Sequence, residues 1–167
     1  MKYEIIKDLL PPTHFNNIYN FLIECHNPIP WWEYSNEVAY DGDDSTFFFL
    51  RKIYPFDNFF SKEYFKIIVP ILYHSSIYYP HRIRCNCYIK QPNPIKTAPH
   101  IDMPGVQHKV FLYSVNSNNG YTILDPGGEN IKIPSVANQA IYFDGDIKHQ
   151  AITQTDTNIR VNININF

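Results

Sequence analysis

From residue 81 onward the chain keeps to one pattern, in which short stretches alternate apolar and polar residues and are cut by clusters of turn residues. A period of two sends successive side chains to opposite faces of a β-strand. In 82–90, Ile83, Cys85, Cys87 and Ile89 take one face and Arg84, Asn86, Tyr88 and Lys90 the other. Further strands are expected over 108–115, 121–124, 129–133, 139–143, 148–153 and 159–167. Asn118-Asn119-Gly120, Pro126-Gly127-Gly128 and Asp144-Gly145-Asp146 read as the turns between them. Many short strands at such spacing indicate a sandwich, jelly roll or barrel.

The first 80 residues read differently. A short strand over 3–10 ends at Pro11-Pro12, and Thr13 is placed to cap a helix over 14–25. Phe15, Ile18, Tyr19, Leu22 and Cys25 would share one face of it, and Asn27-Pro28-Ile29-Pro30 breaks it. Residues 31–40 and 46–54 are aromatic-rich and extended in character, parted by Asp41-Gly42-Asp43-Asp44. A second helix over 58–73 carries the stripe Phe60, Tyr64, Ile67, Ile68 and Ile71, with Pro70 predicting a kink or an early end. Two helices ahead of a long β region would cover one face of a sheet. With no linker or repeat, 1–167 reads as one domain, in which 1–80 supports a β core over 81–167.

Composition narrows the partners. A formal net charge of -2 gives no general attraction to nucleic acid or anionic lipid. Three cysteines form no disulfide framework, and a reducing compartment is the simpler expectation. Cys85 and Cys87 read as buried small residues. The N-terminal residues lack the layout of a signal peptide, and no apolar run approaches the roughly 18 residues of a membrane span. A soluble cytoplasmic protein is therefore expected.

The residues that carry chemistry lie between His100 and Arg160. His100 and Asp102 are two apart, which on a regular strand puts both on one face. His149 opens a later strand, and Arg160 begins the next. Two imidazoles and a carboxylate that leave coordination positions open make the usual non-haem iron(II) site for oxygen chemistry. Each residue alone has a plainer explanation, since a His-x-Asp with a later His arises readily by chance among seven histidines. On the last strand, Val161, Ile163, Ile165 and Phe167 form one face and Arg160, Asn162, Asn164 and Asn166 the other. That second face is either exposed to solvent or lines a polar pocket, where an arginine is suited to hold a carboxylate through two parallel hydrogen bonds.

On these residues the sequence resembles the 2-oxoglutarate/iron(II)-dependent dioxygenases, in particular the prolyl-4-hydroxylase-like branch and its compact phage-encoded versions. The resemblance rests on Tyr88, Pro99-His100-Ile101-Asp102, Asn118-Asn119-Gly120-Tyr121-Thr122, Phe143-Asp144-Gly145, His149 and Ile159-Arg160, and covers roughly 80–167. It implies a mainly β fold with flanking helices, a double-stranded β-helix of the jelly-roll or cupin-like kind. It implies Fe(II) held by His100, Asp102 and His149, with 2-oxoglutarate and O2 as cosubstrates and ascorbate as a further reductant. Arg160 would hold the distal carboxylate of 2-oxoglutarate, with Tyr113 sharing it and Tyr88 bordering it; for both tyrosines, core packing is an equal alternative. Asn86 and Asn164 share faces with Tyr88 and Arg160 and are weaker candidates for the same pocket. Thr122 reads as structural. The implied reaction is hydroxylation of an unactivated C–H bond, with a prolyl residue of a protein or peptide as first choice. For a phage-encoded protein the setting would be the host cytoplasm.

Other readings stay open. Asn86-Cys87-Tyr88 with Arg160-Val161-Asn162-Ile163-Asn164 is also similar to the nucleobase dealkylases of this superfamily, although Asn166 stands where those have an arginine. Hydroxylation of a small metabolite is a further alternative, as is a non-catalytic cupin-like module such as a virion component. Arg82, Arg84 and Lys90 read as a solvated strand end before they read as contacts to an anionic substrate. His108 and Lys109 could line the mouth. Trp31-Trp32 and Tyr34 read as an aromatic strand packed on the sheet, and less readily as a lid.

Overall fold

The computed structural model describes residues 3–24, 33–35, 47–54 and 62–167. Cys25, Trp31-Trp32, the 41–44 turn and Phe60 lie outside the described residues. In chain order the elements are β1 (Tyr3–Ile6), α1 (Pro12–Tyr19), a π-helical turn (Asn20–Glu24), β2 (Glu33–Ser35), β3 (Phe48–Tyr54), α2 (Lys62–Ser75) and β4 (Arg82–Ile89). There follow β5 (Lys109–Ser114), β6 (Asn118–Asp125), β7 (Ile131–Ser135), β8 (Gln139–Asp144), β9 (Lys148–Ile152) and β10 (Ile159–Asn166). A seven-stranded antiparallel sheet in the order β1-β8-β5-β10-β4-β3-β2 faces a three-stranded sheet, β7-β6-β9, and the two make a double-stranded β-helix.

The helices cover one face of the large sheet, as their apolar stripes predict. Ile18 and Leu22 from the first helical stretch and Tyr64, Ile67, Ile68 and Ile71 from α2 pack on Ile83, Cys85, Cys87, Phe111, Val161, Ile163 and Ile165. The opposite face meets the small sheet through Val110, Leu112, Leu124, Ile133, Ile141, Phe143 and Ile147. The alternation along β4 and β10 therefore sorts side chains between an apolar layer under the helices and the space between the sheets.

Three local expectations need correction. Helix α1 begins at Pro12 behind Pro11, so Thr13 lies inside the first turn and does not cap it; proline suits this position because the first N–H groups of a helix have no partner within it. Helix α2 runs through Pro70 to Ser75, so the early end expected there does not occur. Lys66, whose carbonyl loses its amide donor, is exposed, and water can replace the bond. Asn118-Asn119-Gly120 belongs to β6, whose register shifts between Asn118 and Tyr121, so its small polar residues make a bulge and not a turn. None of the described helices is long and apolar enough to cross a membrane.

Candidate metal centre

Between the sheets, His100, Asp102 and His149 each turn one ligand atom toward a common point, all within 4.8 Å of one another. The two histidines are joined first through the backbone, in an isolated antiparallel bridge. The segment before His100 lies beside β9, with Thr97 donating its amide to Ala151 O at 2.9 Å. His100 is thus an irregular extension of the small sheet, and Asp102 follows in a bend. The convergence of His100 and Asp102 comes from that bend and not from a shared strand face, which corrects the sequence expectation.

The imidazoles are oriented by their second nitrogens. Nδ1 of His100 is 3.1 Å from Ala98 O and Nδ1 of His149 is 3.4 Å from Ile147 O. A carbonyl can only accept, so each Nδ1 carries the proton and each Nε2 is left with a lone pair. The two Nε2 atoms lie 3.8 and 3.7 Å from Asp102 Oδ1. The other carboxylate oxygen, Oδ2, accepts from Asn164 Nδ2 and Asn166 Nδ2, both at 2.9 Å. Burial pushes His149 down to about 4, assisted by the charges of His100 and Arg84 and opposed by Asp102 and the Ile147 carbonyl. Burial would raise the Asp102 carboxyl, but His149 when protonated, the charges of Arg84 and Arg82 and the Asn166 hydrogen bond outweigh it and hold the group well below the usual carboxylate range. Nε2 lone pairs turned inward, an ionised carboxylate and the hydrogen bonds that orient all three side chains make the donor set a divalent cation needs. The residues present fit such an ion.

Arg160 lines the same cavity, 2% exposed. Its Nη1 donates to Ile152 O at 3.0 Å, its Nη2 to Thr122 Oγ1 at 3.2 Å, and its Cζ sits 5.4 Å from the Tyr88 ring centre. Burial lowers its pKa, with Tyr88 acting the other way. No carboxylate among the described residues pairs with it. A desolvated guanidinium held only by neutral groups is costly unless an anion joins it. Thr122 therefore orients Arg160, which gives it more than the structural part expected of it. The bulge at Gly120 serves the same end: a Cβ there would lie 2.8 Å from Asn118 Oδ1, 2.9 Å from Ile152 O and 3.2 Å from Arg160 Cδ.

The remaining expected residues divide. Tyr88 lines the cavity and stacks on Phe48, with ring centres 5.2 Å apart. Asn86 lines it too, its Nδ2 donating to Asn162 Oδ1 at 2.9 Å. Asn164 is present, but as a support of Asp102. Tyr113 is not in the cavity. It pairs with Ile163 across β5 and β10, shares the helix-covered face, and donates its hydroxyl to Asn138 Oδ1 at 3.0 Å. The residue of β5 that does reach the cavity is its neighbour Leu112. Arg82 and Arg84 are corrected as well: they do not form a solvated strand end, because their Nη2 atoms lie 3.3 and 3.7 Å from Asp102 Oδ1. Asn166 and Gln150 are additions. Asn166 was visible through its parity with Arg160, whereas Gln150, buried in the cavity wall beside His149, had no sequence signal. The amide oxygens of Asn86, Gln150 and Asn164 are buried without a partner among the described residues, as at a site completed by water or a ligand.

The fold is similar to that of solved 2-oxoglutarate/iron(II) oxygenases. A prolyl hydroxylase from Trichoplax adhaerens, solved in complex with a hypoxia inducible factor oxygen degradation domain peptide fragment, is similar over 99% of this chain and 82% of its own, with a TM-score of 0.67 at 14% identity. A 2OG-Fe(II) oxygenase family oxidoreductase from Burkholderia pseudomallei is similar over 99% and 84%, with a TM-score of 0.66 at 13% identity. A viral collagen prolyl hydroxylase from Paramecium Bursaria Chlorella virus-1, solved as a 2OG complex, is similar over 99% and 95%, with a TM-score of 0.57 at 12% identity. No protein-family model and no curated protein matches the chain. The likeness is therefore one of fold.

Proposed function

We propose that residues 1–167 form one catalytic domain, an iron(II)- and 2-oxoglutarate-dependent oxygenase that hydroxylates an unactivated C–H bond. The observation that carries this reading is the pairing, in one cavity, of a His-Asp-His donor set with a buried arginine that lacks a carboxylate partner among the described residues. Bound there, iron would supply oxygen activation coupled to decarboxylation of the keto acid. His100 and His149 would hold the ion through Nε2 and Asp102 through Oδ1, leaving coordination positions free. Arg160, steadied by Thr122 and the Ile152 carbonyl, would neutralise the far carboxylate of the cosubstrate, with Tyr88 alongside. Asn164 and Asn166, donating to Oδ2, would leave Asp102 Oδ1 free for the ion.

For the substrate we propose a prolyl residue of a protein or peptide. Two similar structures, one a prolyl hydroxylase with a peptide and one a collagen prolyl hydroxylase, support this choice. The test is succinate formation from 2-oxoglutarate with Fe(II), O2 and ascorbate, run with proline-containing peptides and followed by mass spectrometry for the gain of one oxygen atom. The wild type should form succinate and His149→Ala should not. A wild type that binds neither metal nor 2-oxoglutarate overturns the reading.

A further inference from the structure

Arg84 sits in the wall of the metal cavity without a settled role. Its Nη2 is 3.7 Å from Asp102 Oδ1, beyond hydrogen-bond reach, and its Nε is buried with no partner among the described residues. Its charge helps keep Asp102 ionised, but the carboxylate has closer partners, because Oδ2 holds two amide donors and Arg82 approaches Oδ1 at 3.3 Å. The oxygen nearest Arg84 is also the one facing both histidine Nε2 atoms, where a cation would bind. A metal there and a guanidinium beside it repel.

Charge balance points the same way. A divalent metal and a dianionic keto acid, together with Asp102 and Arg160, leave the cavity neutral before Arg82 and Arg84 are counted. Among the described residues, Asp102 is the one acidic residue in the cavity wall. Across the strand pair, Arg84 stands opposite the exposed Lys52 on β3, so positive charge continues outward from it. A partly buried guanidinium that shares Asp102 with Arg82 and keeps an unpartnered Nε among the described residues favours a further anion.

We propose that Arg84 is a specificity-determining residue that receives a carboxylate of the primary substrate beside the metal. This rests on the oxygenase reading above and deepens it, since the substrate would carry its acidic group close to the C–H bond to be attacked.

The test uses the whole protein loaded with Mn(II) and 2-oxoglutarate, with acetate and acetamide as probes and the Mn(II)-induced relaxation of their methyl protons as readout. Acetate should relax saturably, at least tenfold more than acetamide. Arg84→Met should remove the difference and Arg84→Lys restore most of it. Mn(II) affinity should be unchanged or higher in Arg84→Met, because a neighbouring cation has gone. Equal relaxation by both probes, or an acetate effect that survives Arg84→Met, overturns the proposal. So does loss of Mn(II) affinity in that variant, which would make Arg84 a prop for Asp102. A wild type that binds no Mn(II) or no 2-oxoglutarate instead sinks the underlying oxygenase reading. In the same assay, tighter binding of N-acetylproline than of an end-blocked Asp-Pro peptide assigns the carboxylate to a terminus or free acid, and the reverse order assigns it to a side chain.

Discussion

His100 and His149 exchange both of their backbone hydrogen bonds, each 3.0 Å long, across a single β-bridge. Their ring centres are 4.4 Å apart, so the pair is brought together by main-chain bonds that do not depend on the imidazoles.

It follows that His149→Ala should lose metal without losing the fold. Mn(II) affinity by calorimetry should fall by more than the roughly 10–100-fold typical of losing a group that only orients a ligand. The far-UV circular dichroism spectrum should be unchanged. Retained Mn(II) affinity would remove His149 from the ligand set.

Asn166 is fully buried and serves two partners, donating to Asp102 Oδ2 and accepting from Arg82 Nε at 2.8 Å. Asn166→Ala should weaken Mn(II) binding about tenfold and lower stability by about 1–3 kcal/mol, read from urea denaturation. A change in stability alone would mean that the amide does not orient the carboxylate.

Arg160→Met should leave Mn(II) binding intact while raising the dissociation constant of 2-oxoglutarate about 100-fold, the ~3 kcal/mol scale of a buried charge pair losing one member. Titration of 2-oxoglutarate into the Mn(II)-loaded variant measures it. Equal affinity in wild type and variant would refute the role of Arg160.

Gly120→Ala tests the same arginine from a distance. The added methyl would press on Asn118 Oδ1, on Ile152 O and on Arg160 Cδ. Affinity for 2-oxoglutarate should drop about tenfold, with a stability loss of about 1–3 kcal/mol from overpacking and no change in Mn(II) binding. Unaltered 2-oxoglutarate affinity would show that the bulge does not set the position of Arg160.

Asn138 ties the N-terminal segment to the large sheet. Its side chain accepts from Leu10 N and Tyr113 Oη, both at 3.0 Å, and donates to Leu10 O at 2.9 Å, from a backbone φ of 61°. Asn138→Ala should cost about 2–4 kcal/mol, because it strands buried donors and keeps an unfavourable φ. Burial also raises the Tyr113 phenol above its ordinary value. The stability this group contributes is therefore fully present below its unfolded pKa of about 10 and is lost as pH rises through the folded one. Tyr113→Phe should flatten that alkaline loss, and an unchanged alkaline limb of the melting profile would count against it.

Local chemistry determined what the sequence shows by itself. The alternation Arg160-Val161-Asn162-Ile163-Asn164-Ile165-Asn166 sorts into two faces because pleated backbone leaves no other choice. The helical stripe through Tyr64, Ile67, Ile68 and Ile71 is local in the same sense, and so is the suitability of His100, Asp102 and His149 as metal donors. Which face of β10 would meet water was decided only when the β7-β6-β9 sheet closed over its asparagines. Register did the rest: pairing with Ile163 took Tyr113 to the helix side, and pairing with Asn164 and Asn166 turned Arg84 and Arg82 inward to Asp102. Such pairings join residues remote in the chain, and their energies lie in burial and cross-strand contact, which no short stretch of sequence contains.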